Sequence, residues 1–530
     1  MHDAPLHAPV DADARLRAIL DEHGLRQDHP GAVEAEAAAL AAAPGIDDPA
    51  LTDLTELPFV TIDYAHSLDL DQALHIAPEG AGWRLRYALA DAAWYVRPGT
   101  ALMAEALRRG ASFYLAHLCA PMLPRALCEG IVSLNPGVDR RALVMDLALD
   151  AGGRPVVTRV QRARVRSRAK LAYDGVQAWC DEPGASPLAG QEYTSVLAAL
   201  RELGGRLLVQ ARARGMVPFD RPEVAWEPPG PTAPGFRIVT ERRCDVERWN
   251  EQISLLSNAA GAALLRDHPA PWVQPIFRVH PHPALERVEA FAATVQALVR
   301  HHGLDSARWA WRRGQESVAD FLARLPAEGR EGRVRAAIQR QILHSYERSD
   351  YDPEPGPHHA LGLPCYGRFT APMREVVGVF SHRELLEQQG LVPRGDTAAD
   401  EALRAEVLRA AERAQEVQRT ITRAGERLAM DFLLEADLAL PEFQRPRRTG
   451  TVLGLTGSRL YVRFDEPPIE LKVYVDHLQE ALGLRYRASD DSLCLEPETG
   501  EGPGWRVGDA ITLLTAGRDP RRDRWRLVPG

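Results

Sequence analysis

The feature that most constrains the fold of this chain is a change of pattern near residue 440. Residues 398–435 carry a long helical pattern, and Pro441 and a basic stretch at 445–448 follow it as a linker. Beyond the linker, apolar and polar residues alternate in short runs separated by glycine turns. The strands predicted there are 450–454, 459–464, 470–475, 492–496 and 510–514. They predict an OB-type β-barrel over residues 447–530, a fold that binds single-stranded nucleic acid. A barrel with only a structural role is the alternative.

The rest of the chain divides into two regions. Residues 53–440 mix strand-like segments, such as 83–89, with long helical ones, such as 284–301, which predicts an α+β body. Residues 1–52 are rich in alanine and predict two short helices, at 14–23 and 32–43, with Asp11 or Asp13 as a cap. This N-terminal module is either helix-turn-helix-like or a helical cap on the body.

Composition restricts the class of protein. The six cysteines are scattered without a C-x-x-C pair, which argues against a zinc site or a disulfide framework and favours the reducing cytoplasm. No apolar run approaches the roughly 18 residues of a membrane-spanning helix, and no secretory signal is visible, so no membrane association is expected. The net charge of −9 does not exclude nucleic acid, because binding depends on local basic surface. The chain is expected to be a monomer.

A cluster of carboxylates indicates the chemistry. Asp63, Asp69 and Asp71 lie within nine residues of one another, directly after the apolar run 57–60. Asp69 and Asp71 are expected to share one face of an extended segment, with Leu70 turned into the core. Carboxylates are hard oxygen ligands of the kind that Mg²⁺ or Mn²⁺ selects. The cluster therefore predicts metal-assisted attack on a phosphodiester, and a solvated acidic turn is the alternative.

Blocks along residues 53–435 resemble, in order, the motifs of the RNase II/RNase R (RNB) exoribonucleases. The aspartate motif comes first, later blocks include 214–219, and the signature region at 351–383 comes last. Three blocks read Ser133-Leu-Asn-Pro136, Glu251-Gln-Ile-Ser-Leu-Leu-Ser-Asn258 and Tyr366-Gly-Arg-Phe-Thr-Ala-Pro-Met-Arg374. The resemblance implies an RNB catalytic domain with a mixed sheet and long helices over residues 53–440, followed by an S1-type OB domain.

The resemblance also assigns metal ligands. In the RNB family these aspartates hold Mg²⁺ and place a water in line with the scissile phosphate, which implies Asp63, Asp69 and Asp71 as ligands and Asp71 as catalytic. The family motif continues with a fourth aspartate, where this chain has Gln72. A glutamine carbonyl can ligate a metal but brings no charge. We therefore expect weaker binding of Mg²⁺, with Mn²⁺ as a substitute.

Residues for RNA binding follow from the same resemblance. Arg374 matches the signature arginine that grips the phosphate and offsets charge developing in the transition state. Tyr114 matches an aromatic that stacks on bases near the RNA 3′ end. Tyr366 and Phe369 are placed with them among the RNA-contacting residues. After Arg374, relatives have a basic residue, an aromatic and an aspartate where this chain has Glu375, Val376 and Gly378.

These assignments predict a metal-dependent hydrolytic exoribonuclease that degrades single-stranded RNA processively, 3′→5′, to 5′-mononucleotides. Because no OB pattern precedes residue 53, the RNA path is expected to be short, so that shorter 3′ overhangs suffice. The competing hypothesis is a non-catalytic RNA-binding protein whose metal site has degenerated at Gln72. An endonuclease or a phosphorolytic enzyme is the third.

Overall fold

A computed structural model describes residues 6–7, 11–217, 222–227 and 237–530. Residues 1–5 and 8–10 of the N-terminal module, and residues 218–219 of the family block at 214–219, lie outside the described residues. The helices are α1 (Ala12–Glu22), α2 (Gly31–Ala42), α3 (Ala92–Tyr95), α4 (Ala101–Arg109), α5 (Tyr173–Asp181), α6 (Thr194–Ala213), α7 (Asp245–Asp267), α8 (Leu285–His302), α9 (Ser306–Trp309), α10 (Val318–Ala323), α11 (Gly329–Ser345), α12 (Val376–Gln388), α13 (Thr397–Leu438) and α14 (Val475–Leu482).

The strands are β1 (Leu6–His7), β2 (Thr52–Asp53), β3 (Phe59–Asp63), β4 (Gln72–Glu79), β5 (Gly82–Ala90), β6 (Phe113–Leu115), β7 (Leu118–Ala120), β8 (Asp139–Leu149), β9 (Pro155–Ala172), β10 (Glu223–Glu227), β11 (Arg237–Glu241), β12 (Phe277–Val279), β13 (Asp350–Asp352), β14 (Arg448–Thr456), β15 (Arg459–Phe464), β16 (Glu470–Tyr474), β17 (Tyr486–Ala488), β18 (Cys494–Pro497), β19 (Trp505–Arg506), β20 (Ala510–Asp519) and β21 (Arg524–Pro529). One π-helical turn spans Ala126–Ile131, and two 3₁₀ turns span His359–Leu361 and Glu442–Gln444.

The middle of the chain is built on a six-stranded mixed sheet in the order β2-β9-β3-β4-β5-β8. The long strand β9 pairs antiparallel with β8 along residues 155–166 and parallel with β3 along residues 167–172, so the sheet closes on itself. Alternate residues of β8 enter two different cores: Leu143 and Met145 belong to one, and Val144 to the other. Burial on both faces explains why residues 142–149 of this strand are apolar except for Asp146. The mixed sheet with long helices confirms the predicted α+β fold.

Helices α6 and α7 pack against each other and cover the sheet at β4 and β9. Helix α13 has 42 residues and contacts α12, α4 and β6 in the middle region and β20 in the C-terminal region. It therefore connects the sheet-based body to the C-terminal β-structure. The predicted helices at 284–301 and 398–435 correspond to α8 and α13.

The N-terminal helices begin and end within two residues of the predicted positions. Asp11 precedes α1, but its side chain makes no capping hydrogen bond. Helix α1 packs on α13 and helix α2 packs on α4, an arrangement that favours a helical cap. The region also contains strand residues that its composition did not predict, because β1 pairs with β11 and β2 pairs with β9. The domain boundaries at residues 52–53 and 440–447 stay predictions.

The C-terminal region contains a five-stranded antiparallel sheet in the order β16-β15-β14-β20-β21, consistent with an OB-like domain. Helix α14 lies between its third and fourth strands in chain order. The strand predicted at 492–496 is wrong as a member of this sheet: Cys494–Pro497 belongs to a separate three-stranded sheet with β17 and β19. Strand β21 takes the fifth place instead, because its alternating Trp525 and Leu527 are buried in the core of the barrel. No helix in the described part of the chain is long and apolar enough to span a membrane.

Candidate active site

Two neighbouring strands bring Asp63 and Gln72 to the same end of the sheet. Strands β3 and β4 are antiparallel, with Val60 opposite Leu74. Asp63 is the last residue of β3 and Gln72 is the first residue of β4. The loop 64–71 connects them. Its fold is fixed by the Asp63 carboxylate, which accepts hydrogen bonds from the Ser67 hydroxyl at 2.9 Å and from the backbone N–H of Tyr64 at 2.7 Å.

The expected strand geometry of Asp69 and Asp71 is wrong. The backbone N–H of Asp71 donates to the Asp69 carbonyl at 3.1 Å, which makes a tight turn where an extended segment was predicted. Leu70 is buried, as expected. Among the described residues, the carboxylates of Asp63, Asp69 and Asp71 do not form a group of three whose oxygens all lie within 4.8 Å. The side chain of Asp69 accepts a hydrogen bond from the Tyr114 hydroxyl at 2.8 Å.

Asp71 and Arg374 form the central ion pair of the site. The Arg374 Nε donates to the Asp71 Oδ2 at 2.5 Å, and the backbone N–H of Met373 donates to Oδ1 at 2.8 Å. Asp71 is 2% exposed, and burial raises its pKa to about 6 while the guanidinium limits the rise. Burial opposes the charge of Arg374 as well, but Asp71 and the neighbouring Tyr114 and Asp69 hold its pKa above the usual value.

Gln72 is held by hydrogen bonds at both ends of its amide. Its Nε2 donates to the Thr370 carbonyl, and its Oε1 accepts from the hydroxyls of Tyr87 and Ser254. The Ser254 contact is 3.0 Å long. The oxygen that would ligate a metal is therefore already an acceptor for two protein hydroxyls, and its position is fixed by the Thr370 contact at the other end.

A polar cavity of about 450 Å³ joins these residues. Asp63, Asp71, Gln72 and Arg374 line it, and Asp69 does not. Further polar lining comes from Tyr64, Tyr87, Tyr173, Arg243, Glu247, Asn250, Glu251, Ser254, Asn258, Tyr366, Arg368 and Thr370. The walls thus combine carboxylates, guanidinium groups, amides and phenol rings, which can bind a phosphate, a sugar and a cation together.

Of the two signature aromatics predicted to contact RNA, Tyr366 lies at the cavity and Phe369 lies in the core. Tyr366 lines the cavity, and its hydroxyl accepts from the Asn258 side chain at 3.0 Å. Phe369 is fully buried: its ring lies parallel to the ring of His382 and against Gly261, so its prediction as an RNA contact is wrong. It packs inward because the neighbouring backbone is fixed by Asn258, whose Oδ1 accepts from the backbone N–H of Phe369 at 2.7 Å.

Tyr114 lies on the hairpin β6–β7 and is 40% exposed. Gln418 of α13 fixes its backbone, because the Gln418 side chain accepts from its N–H at 3.2 Å and donates to its carbonyl at 3.1 Å. The residue is thus fixed through its backbone by Gln418 and at its hydroxyl by Asp69, and it stays partly exposed.

The departures after Arg374 have local compensations. Glu375 pairs with Arg368 at 2.5 Å and accepts from the Tyr351 hydroxyl at 2.9 Å; despite burial, this pairing lowers its pKa to about 2. Gly378 has no room for a side chain, because a Cβ there would lie 2.8 Å from the Cα of Pro372. The aspartate that relatives carry at that position is therefore excluded by packing.

Comparison with known proteins decides the family. A model of the RNB domain matches residues 51–388. The chain belongs to the RNB family. It is 30% identical over 473 residues to Ribonuclease R of Escherichia coli (strain K12), covering 87% of this chain and 55% of that protein. The chain thus spans about half the length of this RNB relative.

Solved structures share the RNB fold of this chain. The structure of Mycoplasma genitalium RNase R in complex with ribose-methylated single-stranded RNA matches with a TM-score of 0.85 at 20% identity, over 98% of this chain and 78% of that one. Yeast Ssd1, described as a pseudonuclease, matches with a TM-score of 0.61 at 18% identity, over 86% of this chain and 53% of that one. The same RNB fold is therefore found in a protein described as an RNase and in one described as a pseudonuclease.

Three cavity residues of this RNB chain were not assigned a role from the sequence. Asn250, Ser254 and Asn258 lie four residues apart on α7 and therefore share one helix face. The signal was present, because a polar stripe at this spacing on a largely buried helix requires polar partners. Those partners are Ile62 and Tyr173 for Asn250, Gln72 and Tyr87 for Ser254, and Tyr366, Phe369 and Thr370 for Asn258.

Proposed function

We propose that this protein is a metal-dependent, hydrolytic 3′→5′ exoribonuclease that degrades single-stranded RNA to 5′-mononucleotides. The observation that carries the proposal is the single cavity that Asp63, Asp71, Gln72 and Arg374 line within an RNB domain. The names of its relatives agree with this, since one is called Ribonuclease R and a matching RNase R structure contains single-stranded RNA. The proposal extends to a cytoplasmic monomer that uses Mg²⁺, with Mn²⁺ as a substitute.

The charge of the site fits a divalent cation. Among the described residues, no cationic side chain pairs with Asp63 or Asp69, and Asp71 pairs with Arg374. The three carboxylates and one guanidinium leave an excess of two negative charges. Carboxylate oxygens are the donors that Mg²⁺ prefers. Asp63 and Asp71 would hold the ion from the cavity wall, and Asp69 would join them on release from Tyr114.

The residues around such an ion have separable tasks. When bound, Mg²⁺ supplies Lewis-acid neutralisation of the phosphate and a water of lowered pKa. The Asp71 carboxylate holds Arg374 through Nε alone, and the two terminal nitrogens of Arg374 have no hydrogen-bond partner among the described residues. A guanidinium presented in this way grips two phosphate oxygens and stabilises the charge that develops on them. Tyr114 offers its exposed ring for stacking on a base.

The competing function, RNA binding without catalysis, is favoured by one observation. Gln72 replaces a carboxylate, and its Oε1 already accepts hydrogen bonds from Tyr87 and Ser254. A site with one fewer charge binds Mg²⁺ less tightly. The RNB fold alone does not decide between the two functions, since Ssd1 is described as a pseudonuclease.

The deciding experiment is an incubation of the purified protein with a 5′-labelled single-stranded oligoribonucleotide and Mg²⁺ or Mn²⁺. An exonuclease shortens the labelled RNA from its 3′ end to a short limit fragment and releases 5′-mononucleotides without added phosphate. Asp71→Asn abolishes this, whereas Asp21→Asn, at an exposed aspartate of α1, leaves it unchanged. Intact RNA with measurable binding to both the wild type and Asp71→Asn would establish the non-catalytic alternative.

A further inference from the structure

A second group of acidic side chains lies outside the candidate active site. Glu384 and Glu387 of α12 and Asp400 of α13 each place a carboxylate oxygen within 4.8 Å of the other two. All three are buried, with exposed fractions of 0%, 3% and 2%. Among the described residues, no other set of three His, Cys, Asp or Glu side chains converges in this way. Buried carboxylates at this spacing repel one another unless a cation or a proton lies between them.

Two oxygens of the group are buried and unpartnered. The Oε1 of Glu384 and the Oδ2 of Asp400 accept no hydrogen bond from any described residue. The remaining oxygens are used: Glu384 accepts from the backbone N–H of Gln274 at 2.6 Å, and Arg383 donates to Glu387 at 3.0 Å and to Asp400 at 2.6 Å. An unsatisfied buried carboxylate oxygen is costly, and most such atoms have a partner.

Arg383 does not neutralise the group. It contributes one positive charge against three carboxylates, and Asp396 adds a further negative charge near Asp400. Arg394, in the loop between α12 and α13, lies over the ring of Trp272, and among the described residues it makes no ion pair with the group. Burial and the neighbouring carboxylates raise the pKa of Glu384 to about 8.

The loop between α12 and α13 closes over the group. The backbone N–H of Gly395 donates to Glu387 at 3.1 Å. A Cβ at residue 395 would lie 2.2 Å from the Oδ2 of Asp400 and 2.4 Å from the Nη2 of Arg383. Only glycine allows the backbone to approach this closely, so the loop lies directly against Asp400 and Arg383.

We propose that Glu384, Glu387 and Asp400 form a binding site for a structural divalent cation, Mg²⁺ or Ca²⁺, that joins α12 to α13. The donors are all hard carboxylate oxygens from two helices, the set that these two ions share. The site is independent of the candidate active site and does not rest on the proposed function. Its position gives it a mechanical role: α12 directly follows Arg374, and α13 carries Gln418, which fixes Tyr114.

The test compares ion binding and thermal stability in the full-length chain after removal of metal by chelation and desalting. Equilibrium dialysis against Mg²⁺ and, separately, against Ca²⁺ gives the number of ions bound per chain, and the melting temperature is recorded with and without each ion. The variants are Glu384→Gln and Asp400→Asn, with Glu401→Gln, an exposed neighbour on α13, as the matched control. Asp63→Asn separates this site from the candidate active site.

We expect Glu384→Gln and Asp400→Asn each to bind about one ion fewer than the wild type. Each should also lose most of the ion-dependent rise in melting temperature, because an ion stabilises the folded state only where it is bound. Glu401→Gln retains this rise, and Asp63→Asn retains the part of it that Glu384→Gln and Asp400→Asn remove. The ion that supports that part identifies the occupant. Equal stoichiometry and equal melting shifts in wild type and Glu384→Gln would overturn the proposal. So would a wild type whose stability is unaffected by either ion but falls as pH rises from about 4.5 to about 8 and then levels off, because a shared proton would then occupy the group. This pH measurement requires only the wild type, so the test holds even where a variant fails to fold.

Discussion

The Nε of Arg374 lies 2.5 Å from the Oδ2 of Asp71, although the two residues are 303 positions apart in the chain. This ion pair joins the aspartate motif to the signature region across the cavity. Removing either partner leaves the other as a partly or fully buried charge without compensation. The two motifs are thus one structural unit, and each is expected to fail without the other.

Two replacements of Arg374 distinguish the contribution of its charge to the trimming rate from that of its shape. Arg374→Ala is expected to slow RNA trimming by roughly 10²–10³-fold, the usual effect of losing one donor to developing charge. Arg374→Lys keeps the charge but cannot pair with Asp71 and grip two phosphate oxygens together, so it is expected to recover only part of the rate. Single-turnover trimming rates at saturating RNA measure both, with Arg409→Lys on the exposed face of α13 as control. A fully active Arg374→Lys would show that the positive charge is sufficient and that the geometry of the guanidinium group is not required.

Gln72→Asp tests the departure from the family motif. The substitution adds a carboxylate to the cavity but removes the amide that donates to the Thr370 carbonyl. We expect the Mg²⁺ concentration for half-maximal trimming to fall by about tenfold, or ~1.4 kcal/mol, while the melting temperature drops slightly. A Mg²⁺ titration of the trimming rate measures the first effect. Unchanged Mg²⁺ dependence would place residue 72 outside the metal coordination.

Local patterns in the sequence predicted the helices α1, α2, α8 and α13 and the strands β5, β14, β15, β16 and β20, because periodicity is set by neighbouring residues. The site was harder. The family resemblance assigned Asp71 and Arg374 to one site, but their direct ion pair was not predicted, since no local rule connects residues 303 positions apart. Phe369 was misplaced because an aromatic in a motif can face the core or the cavity. The extended segment expected at Asp69 and Asp71 was wrong because a turn, which no glycine or proline marks, replaced it.

Tyr114 offers a test of base stacking. Tyr114→Ala removes the ring and is expected to cost about 1–3 kcal/mol of RNA binding, which corresponds to a KM increase of roughly five- to 150-fold. Tyr114→Phe keeps the ring and loses only the hydrogen bond to Asp69, so its KM is expected to stay near that of the wild type. Trimming kinetics on an unstructured oligoribonucleotide give both constants. If Tyr114→Phe weakens RNA binding as much as Tyr114→Ala does, the hydrogen bond to Asp69, and not base stacking, accounts for the effect.

Buried histidines make the fold sensitive to acid. Burial lowers the pKa of His358 to about 4, with His280 and Arg278 contributing. In the unfolded chain a histidine has a pKa of about 6.5, so this histidine is protonated there at pH values at which it is still neutral in the folded chain. The free energy of unfolding should therefore fall as pH drops from about 6.5 to about 4, by up to about 3 kcal/mol from this group. Denaturant unfolding across this range should show a shallower fall for His358→Phe, and an unchanged one for His268→Gln at an exposed site.

Two adjacent glycines of α6 are predicted to respond in opposite directions to the same substitution. A Cβ at Gly204 would lie 2.3 Å from the Cβ of Trp249 on α7, whereas a Cβ at Gly205 would have no atom within 4 Å. Gly204→Ala should cost about 1–3 kcal/mol through overpacking, and Gly205→Ala should stabilise by about 0.5–1 kcal/mol through helix propensity. Denaturant midpoints measure both.

The Gly204 substitution should also reduce trimming. Asn250 and Ser254 of α7 form part of the cavity wall, and displacing the neighbouring Trp249 shifts this segment of the helix. The hydrogen bond from Ser254 to Gln72 lies on that face, so a small movement of the helix changes the position of the Gln72 amide. Gly205→Ala, which leaves the helix contact intact, serves as the control for both stability and rate. Equal stability of the two variants would mean that α6 and α7 tolerate separation, and the expected loss of trimming rate would then be absent as well.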